Sequence, residues 1–232
     1  MRNDLTIYEH HGHEWWDPRS PRFRTLQQLN RFRLSLVQEW LGARLRDRLV
    51  VDLGCGGGLL SEPLCALGAR VVGLDVSLES LRSAHRRGSK NALYARADIT
   101  RVPLRPAIAD VVLAADVLEH LPDYRPAVAH AAELLKRGGH LYVNTLNKTW
   151  LARLVAVHLG ESLLHVVPRG THDPALFIPP GDLTAAARAC GLELVAIQGE
   201  APAVRATLRQ RVVTFRKANS VALTYSALFR KA

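Results

Sequence analysis

From residue 49 onward the chain alternates short apolar runs with longer stretches whose apolar residues recur every three to four positions. The first pattern predicts buried strands and the second helices, and their alternation predicts a parallel sheet covered on both faces. Val50 to Leu53 opens the series as a strand, followed by a helix from Leu59 to Leu67 that Gly68 ends. Arg70 to Leu74, Ala92 to Ala97, Asp110 to Ala114 and His140 to Thr145 are the next strands. Helices are predicted over Leu78 to Arg87 and over Pro126 to Lys136, the latter stopped by Gly138 and Gly139. A helix from Pro180 to Cys190, a strand from Leu192 to Ile197 and a last strand from Val221 to Phe229 bring the count to seven strands in one α/β domain spanning 1–232.

Two stretches stand outside the alternation. Residues 1–48, dense in Trp, His and Arg, predict a helical extension or lid, and residues 146–179 form an insert after the fifth strand. Within the insert, Ala152, Val155, Ala156, Leu159, Leu163, Val166 and Val167 share one side, while His158, Glu161, Ser162 and His165 share the other. That spacing predicts an amphipathic helix over 150–167, packed on the sheet or on a partner subunit, or else lying on a membrane surface.

The composition, 48% hydrophobic and 22% charged, excludes a disordered chain. The charge changes the picture more. Lys and Arg number 31 against 21 Asp and Glu, for a net +10, and 26 of the cations are arginine. A basic chain invites an anionic partner. Its basic stretches, however, carry few interleaved aromatics to stack on bases, so nucleic acid is not expected. An anionic membrane and a plain compositional bias toward arginine stay open as explanations. The three cysteines show no CxxC spacing, no apolar leader opens the chain and no run of 18 apolar residues occurs. These features predict a reducing, cytoplasmic setting, with contact at the inner face of a membrane through the 150–167 helix as the further expectation.

The glycines of Val50-Val51-Asp52-Leu53-Gly54-Cys55-Gly56-Gly57-Gly58 fall just past the first strand, where backbone without side chains lets a cofactor lie against the turn. The dinucleotide pattern G-x-G-x-x-G needs glycine at position 59, which is Leu59. Asp75 follows at the end of the second strand, 21 residues past Gly54, where a carboxylate accepts from ribose hydroxyls. This loop and its later acid resemble the S-adenosylmethionine site of class I methyltransferases, and the resemblance implies a Rossmann-like sheet. Carboxylates and open backbone suit a sulfonium better than a pyrophosphate. Asp98, after the third strand, stands where that superfamily contacts the adenine, though a turn or cap role also suits it; Asp52 serves either the cofactor or the loop itself.

A second dense signal is Asp116-Val117-Leu118-Glu119-His120, just past the fourth strand. Strand ends of an open α/β sheet line the ligand crevice, so these residues face the transferred group. Two carboxylates and an imidazole are donors for a divalent ion such as Mg²⁺, or else His120 is a general base. An acid ahead of Glu119 also suits a plain helix cap.

With these motifs the chain resembles the ubiquinone-biosynthesis O-methyltransferases, which methylate phenolic or catechol hydroxyls of polyprenylated phenols and quinols. The resemblance is carried by Trp15-Trp16-Asp17, Leu29 to Leu34, the glycine loop, Asp116 to His120, Thr145-Leu146-Asn147 and Val167-Pro168-Arg169-Gly170-Thr171-His172-Asp173. It implies S-adenosylmethionine contacts at Arg33, Gly54, Asp75 and the backbone of Ala115, to which the spacing argument adds Asp52, Gly56 and Asp98. It also implies a divalent metal at Asp116, Glu119 and His120, a phenol or quinol substrate, and His120 with His172 as the groups that deprotonate it. The family carries glutamate where this chain has Asp116, which shortens one ligand arm. A natural-product methyltransferase with a water-borne acceptor is the alternative, and an RNA methyltransferase a further one.

Overall fold

A computed structural model of the protein describes residues 3, 5–155, 170–210 and 212–232. Its sheet has eight strands: β1 (Leu49–Leu53), β2 (Arg70–Asp75), β3 (Ala92–Arg96), β4 (Ala109–Ala115), β5 (Leu135–Leu146), β6 (Leu192–Pro202), β7 (Phe215–Ala218) and β8 (Thr224–Lys231). They run in the order β3-β2-β1-β4-β5-β8-β6-β7. β1 to β5 are parallel, while β8 runs antiparallel to β5 and β6, and β7 antiparallel to β6. The order reverses between β1 and β4, and the carboxyl ends of those two strands flank the crevice that such a reversal opens.

The helices are α1 (Thr6–His11), α2 (Arg24–Leu41), α3 (Ser61–Ala66), α4 (Leu78–His85), α5 (Arg125–Leu134), α6 (Trp150–Arg153), α7 (Pro180–Ala189) and α8 (Val204–Gln210). Both sheet faces are buried. Val51, Leu53, Val112, Leu141 and Val143 pack toward α5 and α7, and Val50, Val71, Val111, Leu113 and Tyr142 pack toward α2 and α3. This is why the strands read as continuous apolar runs.

Three expectations change. The sheet has eight strands and not seven, because the charged segment Phe215 to Ala218 pairs with Gly199 to Pro202 as a short edge strand. Its sequence FRKA holds no apolar run, as suits a strand with one side in solvent. The helix before β5 ends at Leu134 rather than Lys136, and Gly138 and Gly139 lie inside an irregular start of β5, where register shifts between Ala109 and Val111. A Cβ on Gly139 would stand 2.9 Å from the Lys136 carbonyl oxygen and 3.0 Å from that of Asp110, so only glycine fits there. Of the amphipathic helix expected over 150–167, the start is described as α6, with Trp150 exposed and Ala152 buried; residues 156–169 lie outside the described residues. No helix among the described residues is long and apolar enough to cross a membrane.

The N-terminal segment covers the crevice. Trp15 lies flat on the glycine loop: a Cβ on Gly57 would stand 2.3 Å from its ring, and one on Gly56 2.6 Å. Trp15 Nε1 donates to Ser80 Oγ at 2.9 Å, and Trp16 Nε1 donates to the Gly57 carbonyl at 2.7 Å. Tyr8 stacks on Trp15 with ring centres 5.6 Å apart, and Phe23 closes the cluster at 4.5 Å.

Candidate active site

The glycine loop turns away from β1 with positive φ at Gly54 (72°) and Gly56 (53°), a region that side-chain-bearing residues rarely enter. Gly54 also meets Val117 of the loop after β4, whose methyl would stand 2.4 Å from an added Cβ. Asp75, at the end of β2, accepts from the backbone N–H of Gly56 and of Ser77, both at 2.8 Å. Burial raises its carboxyl above the usual range, against these two bonds. Asp52 is buried and accepts from Ser61 Oγ at 2.6 Å, which ties β1 to α3; burial pushes it up to about 6. Asp98 is exposed and accepts from the N–H and the hydroxyl of Thr100, bonds that hold it below the usual range.

These residues, with Arg33, Ala115 and Tyr8, line a cavity of ≈ 160 Å³. A second cavity of ≈ 180 Å³, mostly apolar, is lined by Phe23, Leu29, Leu146, Ala152, His172, Phe215 and Leu223 among others. The two share Tyr8, Leu26, Asp116 and His120. Everything predicted for the cofactor thus lines the first space, and both histidines predicted for catalysis line the second.

Between them stands a buried charged corner. Arg33, in the middle of the buried face of α2, is 1% exposed and forms an ion pair with Asp116 at 2.5 Å. Asp116 holds φ at 50°, a left-handed conformation that asparagine and aspartate tolerate best, and its N–H donates to the Asn144 carbonyl. Glu119 is buried and accepts from Thr145 Oγ1 at 2.8 Å through Oε2, while Oε1 has no partner among the described residues. Burial, then the Asp116 charge, raise Glu119 above the usual carboxylate range. Glu200 of β6 accepts from Asn144 Nδ2 at 2.8 Å and from Ser226 Oγ at 2.5 Å, and is raised by burial with Arg33 opposing. His120 Nδ1 lies 2.8 Å from Asn3 Oδ1, and its ring stacks on His172 with centres 5.7 Å apart.

Asp116, Glu119 and His120 therefore do meet, but not as a metal cage. Asp116 is committed to Arg33, Glu119 turns one oxygen to Thr145, and no group of three His, Cys, Asp or Glu among the described residues stands ready to hold an ion. Sequence reasoning missed Asn3, Tyr8, Asn144 and Glu200. Asn144 carried a signal, following directly on the apolar run Leu141-Tyr142-Val143; Glu200 carried none, since Glu193 and Gln198 of the same strand are polar as well.

A raised carboxyl loses stability for the fold as pH climbs. Glu119 begins to ionise in the unfolded chain near pH 4.3 but resists ionising when folded, so the folded state falls behind from about that pH upward. Glu119→Gln, which cannot ionise, is expected to gain on the wild type as pH rises toward neutrality. Urea midpoints at about pH 5 and about pH 7.5 check this; a difference that does not grow with pH contradicts it.

The fold is similar to that of a solved structure of magnesium protoporphyrin IX methyltransferase from Synechocystis PCC 6803 with SAH bound. The TM-score is 0.68 at 18% identity, covering 99% of this chain and 100% of that one. Residues 51–143 match a family model described as a methyltransferase domain. Fold and site together define an S-adenosylmethionine-dependent methyltransferase. Among relatives, a ubiquinone biosynthesis O-methyltransferase from Cupriavidus pinatubonensis is 40% identical over 192 residues, 81% of this chain and 76% of the relative. One from Methylococcus capsulatus is 36% identical over 234 residues, 98% of this chain and 94% of the relative. The chain belongs to the ubiquinone biosynthesis O-methyltransferase family.

Proposed function

We propose that the protein transfers a methyl group from S-adenosylmethionine to a phenolic hydroxyl of a catechol or quinol that carries an apolar tail. The observation that carries this reading is the junction of two cavities at Asp116 and His120, one walled by the glycine loop and bordered by Arg33, Asp52, Asp75 and Asp98, the other lined by Phe23, Leu29, Leu146 and Leu223. Bound S-adenosylmethionine supplies a methyl group already activated on a sulfonium, so the protein's work is mostly positioning.

The residues fit that cofactor. Arg33 lines the first cavity, and its Nε is buried without a partner among the described residues, a donor suited to a carboxylate. Asp75 serves the ribose hydroxyls, the backbone at Gly54, Gly56 and Ala115 lets the cofactor approach, and Asp98 borders the base. Asp52 acts through the loop it ties to Ser61. His120 accepts the phenol proton, with His172 stacked behind it. A divalent ion would find donors of the right type at Asp116, Glu119 and His120, but as arranged Asp116 is held by Arg33.

The apolar lining of the second cavity suits a ring with a lipid tail. Trp150 is 76% exposed at the start of the insert, and Val204 and Leu208 are exposed on α8 beside Arg205 and Arg209. These support peripheral contact with an anionic membrane. The test is a methyl-transfer assay with catechols of increasing tail length, offered in anionic vesicles and in neutral micelles, with and without chelator. A methoxy product favouring long tails in anionic vesicles is expected. Transfer to short catechols alone would favour a water-borne acceptor, and no transfer to any catechol would overturn the reading.

A further inference from the structure

Strand β7 stands outside the alternation of strands and helices that builds the rest of the sheet. It pairs antiparallel with the end of β6, Gly199 against Ala218 and Pro202 against Phe215, and α8 lies between the two strands. The Ala203 N–H donates to the Thr214 carbonyl at 2.7 Å, and the Thr214 N–H donates to Thr207 Oγ1 at 3.1 Å, which fixes α8 against the approach to β7. Lys217 Nζ donates to Glu39 of α2 at 2.6 Å. Successive side chains of a strand point to opposite faces, so Phe215 shares the α2-facing side with Lys217. On that side lies the apolar cavity. Pro202, Val213 and Phe215 line it together with Leu26 and Leu29 of α2. None of the three lines the cofactor cavity, whereas Tyr8, Leu26, Asp116 and His120 line both. The acceptor space thus has two parts, a corner shared with the cofactor and a wall supplied by β6 and β7.

We propose that Phe215, with Pro202 and Val213, is the specificity-determining wall of the acceptor site: it receives the apolar tail while the hydroxyl to be methylated stays at the corner shared with the cofactor. The proposal rests on the reading of the protein as a methyltransferase of a tailed catechol or quinol, and adds which part of the cavity takes which end of the acceptor. The chemistry of the wall carries it. The side chains of proline, valine and phenylalanine offer no hydrogen-bond donor or acceptor. A polar substituent placed against them gives up its water without a partner, whereas a hydrocarbon chain gains by leaving water. Phe215 is half-buried, and its ring is the largest of the three side chains. Because none of the three belongs to the shared corner, the wall governs which acceptor is held and leaves the transfer itself to the corner. The salt bridge from Lys217 to Glu39 sets the wall against α2, the same helix that carries Arg33.

Phe215→Ala and Phe215→Leu test this with two catechols, one bearing a methyl group and one a hexyl chain. Each is read by steady-state kinetics and by calorimetric titration into protein saturated with S-adenosylhomocysteine. The wild type is expected to prefer the hexyl catechol in both. In Phe215→Ala, kcat/KM for the hexyl catechol is expected to fall roughly ten- to a hundredfold further than for the methyl catechol, the range that a small loss of apolar contact commands in a pocket. The difference should lie mostly in KM, and the calorimetric affinities should part in the same way. Phe215→Leu keeps an apolar side chain and is expected to recover most of the preference. Equal losses for the two catechols overturn the proposal, because they show a wall that serves the fold and not the tail. A preference for the hexyl chain that is unchanged or stronger in Phe215→Ala overturns it as well. Failure of the wild type to methylate either catechol would instead count against the proposed reaction, while calorimetry still decides whether the chain is held and whether Phe215 holds it.

Discussion

Arg33→Ala is expected to destabilise the protein by about 3–5 kcal/mol and to abolish cofactor binding. The guanidinium is 1% exposed and pairs with Asp116, and its charge lowers the carboxyls of both Glu119 and Glu200. Removing it leaves three neighbouring carboxylates without that cation, two of which already have one oxygen with no partner among the described residues. A buried pair need not add stability over an apolar replacement, but breaking one side of it is costly. For a chain of this size the loss corresponds to a fall in melting temperature of roughly 10 °C. Arg33→Met keeps much of the stem's packing and separates volume from charge. Both variants should melt early and fail to bind S-adenosylmethionine in calorimetry. A melting temperature at the wild-type value in Arg33→Met would show that the pair is not what holds this corner.

The second large effect is on turnover. His120→Ala is expected to lower kcat by roughly 10²- to 10⁴-fold, the usual contribution of a general base, while cofactor affinity changes little. The reason for the split lies in placement. His120 belongs to both cavities, but the groups assigned to the cofactor are carboxylates, backbone and Arg33, none of which depends on the imidazole. His120 is the residue taken here to accept the phenol's proton, so the loss should be felt in the chemical step. Single-turnover rates at saturating cofactor measure it, and a rate within about threefold of the wild type would remove His120 as the base.

How much of this was written in the chain differs from element to element. The parallel strands were legible because both faces of the sheet are covered, so Val111 to Ala114 reads as an unbroken apolar run and Val50 to Leu53 as one interrupted only by Asp52. The edge strand β7 was not, since a four-residue charged edge carries no such run. The end of α5 was misplaced because Gly138 and Gly139 look like a helix stop, whereas they shape an irregular entry to β5. At the site, Gly54, Gly56 and Asp75 were readable from local spacing. The pairing of Arg33 with Asp116 was not, because only the docking of α2 across the strand ends brings them together. That pairing also explains why a cluster with metal-binding residue types does not stand as a metal cage. Asn3 was beyond reach for the same reason, being 117 residues from its partner.

Cofactor and acceptor are expected to meet at the corner shared by the two cavities, with His120 between them. A crystal structure of the protein with S-adenosylhomocysteine and a tailed catechol tests it most directly. The sulfur is expected beside Gly54 and Ala115, the ring beside Phe23 and Leu146, and one catechol hydroxyl within hydrogen-bond reach of the His120 ring and facing the sulfur. A catechol seated with both hydroxyls away from His120, or outside the apolar cavity altogether, would contradict it.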